Sequence, residues 1–414
     1  MLKIIERKNG YYFTLYLDDK KIIFMKHQQL LLTLLFQFII FLAHAQPSPL
    51  EVNSNIVLPK DSIESRSLMS ALNNFLALAQ KPDQENNLIA ENEKIETSVL
   101  LDEIKGLEKS GKFANEHFYK PYLMNVVPLE GNSKYMIQVS FVGTDNSKAY
   151  QRALVTLIAH KSNQNFTFSS PLSINAKDWK RLKVGNNTFC YRNKIDNKKI
   201  KEFEKLTTSF DKKLKVSNKS VEYYCCDNTV EAQRLFGLEY KSDYNGRSQS
   251  SFSAAWADKK LVVLGNGNSE FNEFDPHDLW HDRLGLVVSR SLTYRPIDEG
   301  CAYLYGGSWG FSWEQIFSEF KSKVTNDSKI DWCEVKEKPL YFKTGDFNNS
   351  ADNIASALLV KYIEKEKGFE GVWQLLNCGK QEPGNIKFYQ SLEKVTGVTK
   401  DTYNKKIWEL VSKE

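Results

Sequence analysis

Apolar residues first recur at helical spacing. Leu68, Leu72, Phe75, Leu76 and Leu78, then Val99, Leu100, Ile104 and Leu107, predict helices across 63–110. From 120 to 192 the pattern shortens to runs rich in β-branched and aromatic residues. Tyr135–Val142 and Ala153–Ala159 predict strands, with shorter candidates at Phe166–Phe168 and Thr188–Tyr191. Gly, Asn, Asp and Ser fill the connections between them, as tight turns require. The region 63–192 therefore reads as a small α+β domain built on an antiparallel sheet. Past Ile195 a charged helix is expected over 197–214, a strand over Ser220–Cys225, and a short helix over Val230–Phe236. A strand over Leu261–Leu264 and a helix over Asp275–Arg290 follow, with mostly helical chain to Lys413.

The N-terminal end has a different character. Leu30 to Leu42 is an apolar run of 13 residues interrupted only by Thr33 and Gln37, shorter than the roughly 20 needed to span a bilayer. Ala43 and Ala45 then place small residues where a signal peptidase cuts, with Gln46 as the new first residue. Met25–Ala45 reads as a secretory signal peptide, residues 1–24 as an upstream extension with the start at Met25, and 46–62 as a linker. The expected product is exported, periplasmic or extracellular, with no stable membrane span after cleavage.

Length and composition suit more than one globular domain: 414 residues, 41% hydrophobic, 26% charged. The net charge of +5 is concentrated near the start. Residues 1–45 hold six Lys or Arg against three Asp or Glu, leaving +2 for the remainder. That balance, with no basic stripe, argues against nucleic acid as a partner. Six cysteines, Cys190, Cys225, Cys226, Cys301, Cys333 and Cys378, all follow the cleavage site, and none forms a C-x-x-C pair. A cysteine zinc site is not expected, and disulfide pairing stays open among 15 combinations.

The candidate chemistry lies in Asp275-Pro276-His277-Asp278-Leu279-Trp280-His281. Histidines four apart on a helix share one face and can offer two imidazole nitrogens to one metal ion. Glu299, 18 positions after His281, can close a His-His-Glu site with a fourth position left for water. Asp278 stands where H-E-x-x-H proteins carry a glutamate, one methylene shorter. Asp275 and Pro276 also form a helix start, so Asp278 has a structural reading as an N3 acid. The other two histidines of the exported part, His117 and His160, are isolated and read as structural or exposed. The aromatic run Tyr303, Tyr305, Trp309, Phe311 and Trp313 reads either as cleft wall or as core.

With these residues in place, 197–411 resembles the gluzincin metallopeptidases, in particular the peptidase MA-like family, whose catalytic domains are similar to thermolysin and related aminopeptidases. His277 and His281 match the family's zinc histidines. Glu299, in Asp298-Glu299-Gly300-Cys301-Ala302-Tyr303, matches the third ligand of its E-G-x-A-x-Y pattern, and Asp278 occupies the general-base position. The resemblance implies a zincin-like, mostly helical catalytic domain over 195–414, a Zn²⁺ cofactor and a peptide or protein substrate. The sequence departs from the family twice. Aspartate replaces the glutamate base, and Asn353 and Ile354 stand where a transition-state tyrosine is expected, leaving Tyr303, Tyr305 and Tyr341 as substitutes. An active zinc peptidase and a catalytically impaired pseudo-peptidase acting as a binding module are the two expectations.

Overall fold

The structure is a computed structural model describing residues 5–8, 11–14 and 49–414, except 130, 132, 218, 290 and 328. The segment read as a signal peptide lies outside the described residues. Among those described, no helix is long and apolar enough to cross a membrane. The chain mixes helices and small sheets and divides into two compact units. The first comprises 1–93, 100–170 and 238–243, and the second 94–99, 171–237 and 244–414.

In the first unit, β1 (Ile5–Lys8) and β2 (Tyr11–Thr14) form an antiparallel ribbon. β3 (Glu51–Val52), inside the stretch read as linker, starts the main sheet. Then come helix α1 (Ser62–Leu78), capped by the Asp61 carboxylate, and helix α2 (Lys94–Ile104), shared between the two units. β4 (Lys120–Pro128), β5 (Lys134–Asp145), β6 (Lys148–Ser162) and β7 (Asn165–Ser169) follow. The sheet order is β11-β6-β5-β4-β3 with β7 on β6, where β11 is Leu238–Lys241. Every pairing is antiparallel except β3 with β4. The apolar faces of α1 and the sheet meet through Leu68, Leu72, Phe75 and Phe168, all fully buried. His117 pairs with Glu108 and His160 with the Ser169 hydroxyl, which fits their structural reading.

The second unit opens with the one-turn helix α3 (Leu172–Asn175) and strands β8 (Lys180–Val184) and β9 (Asn187–Tyr191). The strand at Thr188–Tyr191 thus lies in a different sheet from the one its position in the sequence suggests. It pairs in parallel with β10 (Ser220–Cys226), Phe189 opposite Tyr223. Local alternation marks a strand but not its partner, which tertiary burial selects. α4 (Asn197–Leu214), α5 (Thr229–Phe236), β12 (Ser250–Trp256) and β13 (Lys259–Gly265) follow. The five-stranded sheet runs β12-β13-β10-β9-β8, parallel in its centre with an antiparallel strand at each edge.

The remainder is mostly helical. It contains α6 (Pro276–Leu284), α7 (Arg295–Gly306), α8 (Trp313–Thr325) and α9 (Trp332–Glu337). A hairpin of β14 (Tyr341–Thr344) and β15 (Phe347–Ser350) precedes α10 (Ala351–Leu376), α11 (Ile386–Thr396) and α12 (Lys400–Lys413). The helix expected over Asp275–Arg290 ends at Leu284, six residues early, where Gly285 and the β-branched Val287 and Val288 are poor helix formers. α7 lies close against α10: a Cβ on Gly300 would stand 2.8 Å from the Ala357 backbone nitrogen. A buried ion pair, Lys336 Nζ to Asp352 Oδ1 at 2.9 Å, ties α9 to the first turn of α10. All six cysteines are free thiols.

Candidate metal centre

The site is built on two consecutive helices. α6 starts where the Asp275 carboxylate accepts a hydrogen bond from His277 N at 2.8 Å and Pro276 takes the first helical position, which needs no donor. Within that helix the four-residue spacing puts His277 and His281 on one face, ring centroids 5.0 Å apart. α7 returns beside it. Gly306 permits the approach, since a Cβ there would stand 2.5 Å from His277 N.

The two imidazoles are oriented by their far nitrogens. His277 Nδ1 meets the Gly307 carbonyl at 2.8 Å, and His281 Nδ1 meets Asp298 Oδ1 at 2.8 Å. Both partners are acceptors, so each Nδ1 carries a proton, and Nε2 is the ring atom each histidine has left to offer a metal. Both Nε2 atoms face Glu299 Oε2, at 3.4 Å from His277 and 3.8 Å from His281. One donor atom from each of the three residues lies within 4.8 Å of the others, a spread that can hold a metal ion. The three side chains are 11%, 10% and 13% exposed, so the donors are held in a largely dry wall that opens on a cleft. Imidazoles braced by a carbonyl and a carboxylate, facing one further carboxylate, are a donor set that a divalent transition metal can take in exchange for any Nε2 protons.

Charge at the site follows from these contacts. Burial favours the neutral form of Glu299, yet the His277 hydrogen bond and the His281 charge outweigh it and hold the carboxyl below its ordinary range. Burial would lower His277, but the Glu299 and Gly307 hydrogen bonds raise it. Asp278 points to the cleft, where desolvation and the Asp275 charge push its carboxyl up against the opposing pull of the two histidines.

Sequence reasoning assembled His277, Asp278, His281 and Glu299, and all four line one cleft of about 470 Å³. It missed Asp298, 2% exposed, which also accepts from Trp280 Nε1 at 3.1 Å. The adjacent acid in Asp298-Glu299 was its only local signal. The three substitute tyrosines do not reach the cleft. Tyr303 packs edge-on to His277, but its hydroxyl donates to Asn349 at 3.0 Å. Tyr305 donates to Glu364 at 2.7 Å, and Tyr341 lines a separate cavity. Ile354 is fully buried, and neither it nor Asn353 lines the cleft. The aromatic run divides: Tyr303 and Trp313 are core, whereas Trp309 and Phe311 line a second cavity beside Asp278. β13 and β12 also line the cleft, and β12 is an edge strand that escaped sequence reading because it is mostly serine and alanine, with only Phe252 and Trp256 as β-formers.

No protein-family model matches this chain, and no curated protein or solved structure matches it either.

Proposed function

We propose that the second unit is a zinc-dependent peptidase of gluzincin type, exported by means of the Met25–Ala45 signal. The observation that carries the reading is the convergence of two Nε2 atoms and one carboxylate, with both Nδ1 atoms already committed to acceptors. His277, His281 and Glu299 would hold the ion. Zinc, when bound, supplies a Lewis acid that polarises a carbonyl and acidifies a water. Asp278 is the proton carrier: it sits in the cleft, one residue from His277, and no hydrogen bond engages its carboxylate among the described residues. Its carboxylate takes the proton of the attacking water and returns it to the leaving amine. β12 supports a peptide as substrate. Among the described residues it pairs with one strand only, β13, and Ser251 and Ser253 line the cleft, so an extended chain can add along the other edge.

A second reading, a pseudo-peptidase that binds peptides without cutting them, is favoured by two observations. The base is one methylene short, and no tyrosine hydroxyl of the three substitutes enters the cleft. A misplacement on that scale costs ~100-fold in rate. The deciding experiment uses chain starting at Gln46, with zinc measured by elemental mass spectrometry and hydrolysis followed on a quenched-fluorescence peptide pool. The peptidase reading expects zinc that is lost in His277→Ala/His281→Ala. It also expects hydrolysis that a chelator abolishes and zinc restores, falling at least ~100-fold in Asp278→Ala. Hydrolysis unchanged in Asp278→Ala overturns the assignment of the base. Stable zinc with no hydrolysis assigns the binding role.

A further inference from the structure

α7 ends in a tight hairpin turn. Ser308 and Phe311 exchange both backbone hydrogen bonds, each at 3.0 Å, around Trp309 and Gly310. Both central residues have positive φ, +53° for Trp309 and +79° for Gly310. Such two-residue turns favour Asn-Gly or Gly-Gly, and tryptophan is a poor choice at the first position on conformational grounds. Folding does not hide this side chain either: Trp309 is 57% exposed, with its ring stacked flat on Phe347 of β15 at 4.9 Å and 5°. The turn is tied to the metal site, because the Gly307 carbonyl that orients His277 begins it.

Trp309 forms one wall of a cavity of about 590 Å³ that is continuous with the metal cleft, sharing Asn266, Asn268, Glu273, Phe274, Asp275 and Asp278 with it. Phe274 and Phe311 add apolar surface, and Glu273, Asp275 and Asp278 supply three carboxylates. No lysine, arginine or histidine lines it among the described residues. An exposed indole face with carboxylates around it suits a cation carried on an apolar stem. We infer that this cavity is a specificity subsite taking an arginine or lysine side chain of a peptide whose backbone lies across the metal cleft. The guanidinium or ammonium rests on the Trp309 ring, held in place by the Phe347 stack, and faces Glu273. The inference rests on the peptide-binding reading of the cleft but does not require that the peptide be cut.

The test is isothermal titration of metal-stripped protein with blocked pentapeptides Gly-Gly-X-Gly-Gly, X being Arg, Lys, Leu or Glu, at low and high salt. Arg and Lys peptides should bind about tenfold tighter than the Leu peptide, with Glu weakest, and the advantage should shrink with salt. Trp309→Ala should lose about fivefold for Arg with little change for Leu, and Glu273→Gln should lose part of the same preference. Trp309→Gly, whose residue suits the positive φ, keeps the turn and serves as the fold control for the same loss. Equal binding of Arg and Leu peptides, or an unchanged Arg preference in both Trp309 variants, overturns the subsite. Because no metal is present, the outcome is separate from that of the hydrolysis assay: a protein that cuts nothing but prefers Arg through Trp309 retains the subsite and loses the peptidase reading.

Discussion

Asp298 is where the proposed metal centre can be weakened without touching a candidate ligand. Its Oδ1 accepts from His281 Nδ1 at 2.8 Å and from Trp280 Nε1 at 3.1 Å, and Trp280 is fully buried. Asp298→Ala leaves two buried donors without a partner, each costing ~1–3 kcal/mol, so the metal-free protein should lose ~2–6 kcal/mol of stability. A water entering the vacated space moves the loss toward the lower figure. Asp298→Asn separates charge from hydrogen bonding. The amide oxygen can still accept both bonds, so stability should fall by ~1 kcal/mol or less. The negative charge that makes the His281 imidazole a stronger donor to a metal is gone, and zinc affinity should drop ~10–100-fold. Denaturant unfolding of stripped protein gives the first quantity, and chelator-competition titration at fixed pH and salt gives the second. Zinc affinity within about twofold of the parent in Asp298→Asn would refute the argument that Asp298 tunes the site.

Three further outcomes follow from the packing. Lys336, whose side chain has no exposure, is paired with Asp352 and ringed by Tyr294, Phe388 and Tyr403. Lys336→Met should cost ~3–5 kcal/mol in denaturant unfolding by stranding the carboxylate, and Lys336→Met/Asp352→Leu should recover most of it. A double variant as unstable as the single one would contradict this. Gly306→Ala sets a Cβ 2.5 Å from His277 N, so it should destabilise by ~1–3 kcal/mol and weaken zinc binding together; zinc titration and unfolding on one sample check the coupling. His160 is depressed below 6.5, chiefly by burial and further by the Lys134 charge, against the pull of Glu93. The unfolded chain therefore takes up the proton first as pH falls, so this contribution is whole above about 6.5 and is lost toward the lower folded value. The slope of unfolding free energy between pH 7 and 5 should flatten in His160→Gln, and an unaltered slope would remove His160 as its source.

The local elements were legible because their signals are local. Leu68, Leu72, Phe75 and Leu76 mark α1 by helical spacing, Asp275-Pro276 marks the start of α6, and β5 and β6 follow from β-branched runs. The metal candidates were legible for the same reason, since a four-residue spacing on a helix needs no tertiary information. β12 was not, because a strand made mostly of Ser and Ala gives little propensity signal and is held by its pairing with β13. The sheet that β9 joins was not legible either, as alternation is identical whichever neighbour a strand takes.

By itself, then, the sequence determined that His277 and His281 share a face and that a carboxylate follows within one helix and one loop. Only the tertiary structure decided that Glu299 faces both Nε2 atoms, that Gly307 and Asp298 bind the opposite nitrogens, and that Tyr303 and Tyr305 spend their hydroxyls away from the cleft. It also decided that Trp309 stands exposed beside Asp278 while Trp313, four residues on, is buried. Spacing along a helix is fixed by backbone geometry within one turn. Which atom meets which across two helices depends on how closely they pack, and here Gly306, which leaves no room for a side chain against His277 N, sets that distance.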